Sequence, residues 1–204
     1  MASLEDRYFT CLGERSSRAG AEWERLRCAW TEPHRAYHTL AHLTECLDLL
    51  SEAVPANGPA VELAIWYHDA VYDTRAHDNE ARSADWAVST CAAFNLPDAE
   101  LVHALIMATR HSAGPRTTDE CVTVDVDLAI LGASPIRFAQ YERQVRTEYS
   151  WVPEDAFRVG RTAILEGFLS RANIYHTRPF QQRFEARARA NLAEAISRLG
   201  SVPG

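Results

Sequence analysis

Lysine is absent. All 21 basic side chains are arginine, so an arginine at any one position says nothing by itself about forked recognition of a carboxylate or phosphate. Long apolar runs are missing as well. No stretch approaches the roughly 18 residues needed to span a bilayer, and the opening Met-Ala-Ser-Leu-Glu-Asp-Arg-Tyr-Phe has neither the basic nor the apolar region of a secretory signal. We therefore expect a cytoplasmic chain with no membrane partner. The cysteines (Cys11, Cys28, Cys46, Cys91, Cys121) are odd in number, scattered and never in a C-x-x-C pair, which argues for reduced thiols and against a disulfide frame or zinc finger. A surplus of positive charge is also lacking: 28 acidic against 21 basic side chains give −7, which repels a phosphate backbone and excludes an extended nucleic-acid surface. A glycine-rich phosphate cradle, a heptad seam and an internal repeat are likewise not found.

What remains is a chain of ordinary globular composition, 204 residues long and able to bury a sizeable core as one domain. Its patterning reads as helix after helix, so the expected fold class is all-α. Leu4 to Leu12 and Ala19 to Trp30 form the first two helices, and Glu32-Pro33 opens a longer one through His38, His42, Cys46 and Leu49-Leu50 to about Ala53. Pro55 to Pro59 is a loop. Val61, Ala64, Ile65, His68 and Tyr72 then follow the rhythm of one buried helical face, which sets His68-Asp69 inside an apolar helix. Asp78 is a plausible N-cap for a helix packed through Ala81, Ala84, Ala87 and Cys91. Another helix runs from Leu96-Pro97-Asp98 to about His111. The run Cys121 to Leu131 is rich in β-branched residues but has no partner strand, so a short buried helix is expected there. Helices from Ser134-Pro135 to Tyr149, from Pro153-Glu154 to about Arg171, and from Arg178 to Leu199 complete the chain.

A buried ionisable pair such as His68-Asp69 is costly unless each member has a partner. One core histidine can be satisfied by a carbonyl, but a divalent cation satisfies an inward imidazole and an adjacent carboxylate together. Gathering the ligand-type residues on or beside apolar faces gives His42, His68, Asp69 and Asp127 from three helical segments, which is how a metal site is built inside a helical bundle. This mixed nitrogen and oxygen set suits one divalent transition metal (Mn, Fe, Co, Ni or Zn, with Mg also admissible) and leaves open positions for water and substrate.

The ordered set resembles the HD superfamily of metal-dependent phosphohydrolases, and more narrowly an uncharacterised bacterial branch of that superfamily. The residues that carry the resemblance are Tyr37-His38-Thr39-Leu40-Ala41-His42, Trp66-Tyr67-His68-Asp69-Ala70-Val71-Tyr72-Asp73, Asp78-Asn79-Glu80, Ala108-Thr109-Arg110-His111 and Asp125-Val126-Asp127-Leu128-Ala129-Ile130-Leu131-Gly132. The carboxyl half, through Ile174-Tyr175 and Ala188-Arg189-Ala190-Asn191-Leu192, is similar to the branch too, so nearly the whole chain is covered. The resemblance implies an HD-like helical bundle, with a metal-site core over about 33–132 and helices over about 134–199 packing on it. It also implies hydrolysis of a small phosphorylated metabolite, nucleotide-like in kind, through a metal-activated water. A homo-oligomer is compatible with it.

Within the resemblance either His38 or His42 can supply the first ligand. His42 continues the apolar stripe better, which leaves His38 one turn earlier at the mouth. Asp127 is preferred over Asp125 because an apolar run follows it; Asp125 then either orients a ligand histidine or caps its helix. The catalytic residues implied are Asp69 or Asp127 to orient water, His38, and His111 to protonate a leaving oxygen or bind phosphate. Glu80 either lies near the reaction centre or simply favours a helix start. Arg110, Arg146, Arg161 and Arg171 are candidates for neutralising the phosphate. Two other functions share these residues: a two-iron oxygenase on the same scaffold, using spare histidines such as His77 and His103, and a metal-binding regulatory protein without turnover.

Overall fold

A computed structural model of the chain describes residues 3–201, and among them every regular element is helical. The fold is all-α, as the periodicities predict. No helix among the described residues is long and apolar enough to cross a membrane. The chain divides into two compact units, one ending at Asp127 and the other beginning at Leu128.

The first unit contains α1 (Leu4–Leu12), α2 (Ser17–Trp30), α3 (Leu40–Leu50), α4 (Gly58–Tyr67), α5 (Asn79–Phe94), α6 (Ala99–Ala108) and α7 (Thr118–Asp127). Their starts are set by side-chain caps. Ser3, Ser16, Thr39 and Asn57 each accept a hydrogen bond from a backbone N–H two or three residues on, satisfying donors that a helix start leaves open. The helix α4 is apolar nearly all round, with Ala60, Val61, Leu63, Ala64, Ile65, Trp66 and Tyr67 buried, as expected of a helix surrounded by others. Around it pack α1, α3, α5, α6 and α7. Its last turn is held from below by Glu22, whose carboxylate accepts from Tyr67 Oη at 3.0 Å, Trp86 Nε1 at 2.6 Å and Thr90 Oγ1 at 3.1 Å.

Three local expectations are corrected. The third helix does not open at Pro33 but at Leu40, with Thr39 as its N-cap, so His38 lies in the preceding loop rather than one turn earlier on the helix of His42. The loop is closed by Thr39 N–H to Tyr37 O at 2.8 Å, and the buried guanidinium of Arg35 holds the His38 carbonyl at 3.1 Å. His68 is the C-cap of α4, so Asp69 and Tyr72 lie beyond the helix rather than inside it. Asp78 does occupy the N-cap position of α5, but its side chain makes no capping hydrogen bond. The run after Cys121 is helical as expected: α7 ends at Asp127 and a 3-10 turn, Leu128–Gly132, follows.

The second unit comprises that 3-10 turn, α8 (Pro135–Glu148), α9 (Glu154–Leu169), α10 (Arg178–Phe180), a π-helical turn (Gln181–Glu185) and α11 (Ala186–Gly200). Its interior is tied to the 3-10 turn. Asn191 donates to the carbonyls of Leu131 and Ala133 at 2.8 and 3.0 Å, Tyr175 Oη to Leu128 O at 3.0 Å, and Arg187 Nε to Gly132 O at 2.7 Å. Gly132 is where the turn meets the π-helical segment most closely. A β-carbon there would stand 2.6 Å from Phe184 Cβ and 2.8 Å from the Phe184 carbonyl oxygen. Since backbone cannot swing aside as a flexible side chain can, Gly132→Ala should cost roughly 1–3 kcal/mol of stability. A thermal melt that matches the wild type would show that the contact relaxes freely.

Candidate metal centre

The ends of α4 and α7 and the first turn of α3 bring two imidazoles and two carboxylates together. His42 Nε2 lies 3.2 Å from His68 Nε2 and 3.3 Å from Asp127 Oδ1, and His68 Nε2 lies 3.5 Å from the same oxygen. Asp69 Oδ2 is 3.1 Å from His68 Nε2 and 3.8 Å from His42 Nε2. Cys46, one turn after His42, brings its Sγ to 3.7 Å from His42 Nε2. The ligand atoms of His42, Cys46, His68 and Asp127 all lie within 4.8 Å of one another.

These distances can be tested against a metal. Donors held about 2.0–2.1 Å from one centre at tetrahedral angles stand about 3.3 Å apart, and the three edges among His42, His68 and Asp127 are 3.2, 3.3 and 3.5 Å. The tautomers fit as well. His68 Nδ1 faces the Ile65 carbonyl oxygen at 2.9 Å; a carbonyl only accepts, so Nδ1 carries a hydrogen and Nε2 is the nitrogen whose lone pair, once its proton is lost, faces the cluster. His42 Nδ1 is 2.9 Å from the Tyr37 hydroxyl, which accepts from it when Nε2 is the free nitrogen, so this contact is compatible with an inward Nε2 lone pair. The residues present can therefore hold a metal ion, with either the hard oxygen of Asp69 or the softer sulfur of Cys46 beside the other three.

Electrostatics separate those two. Burial opposes ionisation of Asp69, but His68 and His38 outweigh it and hold its carboxyl well below the usual range. Burial pushes the Cys46 thiol well up, and the Asp127 and Asp69 carboxylates push it further. Asp69 is thus an anion already, whereas Cys46 must first lose a proton. Burial disfavours a charged ring at His68 too, yet Asp69 and Asp127 hold it well above the ordinary imidazole range, while burial drives His42 down. Asp127 is kept ionised against its burial by His111, His42 and His68. Without a metal, a proton on His68 supplies the positive charge that the two carboxylates require.

The remaining candidates fall as follows. His38 Nε2 is 4.0 Å from Asp69 Oδ2, and its ring stacks on Tyr72 at 4.2 Å. His111 Nε2 lies 3.0 Å from Asp127 Oδ2. Asp125 is fully buried within α7 rather than capping its start. Glu80 sits in the first turn of α5. Arg110 is exposed just past the end of α6. In the second unit, Arg146 binds Glu154 and the carbonyls of Tyr149 and Val152, Arg161 binds Glu142 at 2.5 Å over the Tyr141 ring, and Arg171 lies over Phe168.

Two contributors escape sequence reasoning. Cys46 stood in view at i, i+4 from His42 but read as part of an apolar stripe. Arg35 gave no signal at all. Its side chain is fully buried, and its guanidinium donates to Asp69 O at 2.7 Å, Ala70 O at 3.0 Å and His38 O at 3.1 Å. It fastens the segment after α4 to the loop before α3, and so places Asp69 and His38 against each other. Comparison with family models, with curated proteins and with solved structures finds no match.

Two outcomes are expected. Because His68 stays protonated above the usual imidazole range, metal uptake at neutral pH must displace a proton, so affinity should rise with pH and fall on acidification. Calorimetry in two buffers of different ionisation enthalpy should find about one proton released per metal, and His68→Ala or Asp127→Ala should abolish uptake; uptake retained by His68→Ala would show that His68 is not a ligand. Arg35→Lys should lose at least about 2 kcal/mol of stability, since a compact ammonium cannot reach three carbonyls from one rigid fork. Chemical denaturation of the variant gives the difference directly.

Proposed function

We propose that this chain is a metal-dependent phosphohydrolase acting on a small phosphorylated, nucleotide-like metabolite. The observation that carries the proposal is the gradient of exposure across the cluster. The His42 and His68 side chains are 2% and 1% exposed, whereas those of Asp69 and Asp127 are 18% and 15% exposed. A cation would be gripped from below by imidazoles and open to solvent on the side of the carboxylates, where a substrate and a water can approach. The motif resemblance to HD phosphohydrolases supports the same reading.

A divalent metal held by His42, His68, Asp127 and Asp69 supplies Lewis acidity toward a phosphoryl oxygen and makes a water molecule more acidic. The chain's own groups do the rest. Asp69, ionised and partly exposed, accepts a hydrogen bond from the attacking water and aims it. Cys46 stays a neutral thiol packed against the His42 ring. His38, on the open side and within 4.0 Å of Asp69, donates a proton to the leaving oxygen. Arg110, exposed and directly before His111 in the chain, offers a charge to the phosphate.

The test is phosphate release from a panel of phosphorylated metabolites with Mn, Co, Ni, Mg and Zn supplied separately. Activity should depend on added metal and vanish in His68→Ala. The His38→Ala protein should keep its metal and lose about 10²–10⁴-fold in rate. Metal binding without release from any panel member would leave a binding protein and overturn the proposal.

A further inference from the structure

His111 is drawn by sequence pattern toward the role of proton donor or phosphate ligand at the mouth, but its geometry serves another purpose. The residue follows α6 with φ of +54°, a left-handed backbone that disfavours a residue bearing a β-carbon. That conformation turns the ring back toward the end of α7, where Nε2 meets Asp127 Oδ2 at 3.0 Å. The other ring nitrogen, Nδ1, is buried. Nε2 is thus engaged by Asp127, and Nδ1 has no access to an entering substrate.

Asp127 needs such a partner. It is the last residue of α7, and a carboxylate at the negative end of a helix is disfavoured by the aligned peptide dipoles. Its two oxygens are divided: Oδ1 faces His42 and His68 at 3.3 and 3.5 Å, while Oδ2 faces His111. A carboxylate turns easily about its Cβ–Cγ bond. A donor fixed on Oδ2 removes that freedom and keeps Oδ1 aimed at the point shared with both imidazoles. From this division of the two oxygens we infer that His111 is a positioning residue for the metal centre, orienting the Asp127 ligand through an Nε2–H hydrogen bond rather than transferring protons to substrate.

The inference rests on the cluster holding a metal, and its test separates the two. Because His111 occupies the left-handed region, His111→Gly removes the ring while easing the backbone, so this variant should fold. His111→Gln keeps an amide donor at about the position of Nε2. Zinc(II) affinity is measured for the wild type and both variants by competition with a chromogenic chelator, with thermal melts of the metal-free proteins alongside. Partners that orient metal ligands typically contribute 10–100-fold in affinity. The expected result is a loss of that size in His111→Gly, recovery to within about threefold in His111→Gln, and metal-free melting temperatures that do not follow the affinities. Unchanged affinity in His111→Gly overturns the positioning role and restores that of a proton donor. Equal loss in both variants overturns it as well, because the imidazole itself would then be a ligand. A wild-type protein that takes up no zinc, nor any of the metals used for the activity panel, overturns the metal site beneath the inference.

Discussion

The first unit is organised around a demand for positive charge at the end of α4. Asp69 and Asp127 place two carboxylates in contact with His68, deep enough that water can screen them only from one side. Each carboxylate is ionised only because cations or potential cations surround it. A protonated His68 meets that demand in part, with one charge for two. A divalent ion meets it in full and frees both imidazoles to act as neutral ligands. The raised proton affinity of His68 and the capacity for metal are therefore two expressions of one electrostatic field, and the proton holds the place that a metal ion would take.

Such a field is useful only if the groups that create it cannot rotate away. Two tethers hold the end of α4. Glu22 fixes Tyr67, the residue before His68, through a hydroxyl that is also 2.5 Å from Tyr8 Oη and 3.0 Å from Thr90 Oγ1. Arg35 fixes the carbonyls of Asp69 and Ala70, just after His68. His68 lies between them with Nδ1 spent on Ile65. The site thus sits on a helix terminus clamped from both sides, which holds its geometry more firmly than a free loop would.

How much of this could be read in the sequence follows from what each signal depends on. The all-helical class was legible because buried helical faces repeat in the chain itself, as Ala19, Trp23, Leu26 and Trp30 do along α2. The convergence of His42, His68 and Asp127 was legible because inward polar residues on apolar faces need a partner. The helix boundaries around them were not. Pro33 has the chemistry of a first turn, but the residues after it form a loop held by a buried arginine, and no local pattern announces a contact made 34 residues away, as between Arg35 and Asp69. Asp125 reads equally well as a cap or as an interior residue until α7 has definite ends.

The absence of lysine, uninformative position by position, takes on meaning once the helix ends are known. A helix leaves its last carbonyls without internal partners and concentrates negative potential there. Arginine answers that need repeatedly in this chain. Arg7 binds Leu47 O at the end of α3, Arg35 the carbonyls that follow α4, and Arg18 Ala93 O at the end of α5. In the second unit Arg146 binds Tyr149 O after α8, Arg189 binds Leu169 O and Arg171 O after α9, Arg158 binds Leu199 O in α11, and Arg187 binds Gly132 O. Several of these guanidiniums serve two carbonyls or add a carboxylate, which a forked, permanently charged group can do and an ammonium does poorly. Seven of the 21 arginines thus serve carbonyls at or just past helix ends. Arg146 and Arg161 already hold partners within their own unit, with which any anion would have to compete.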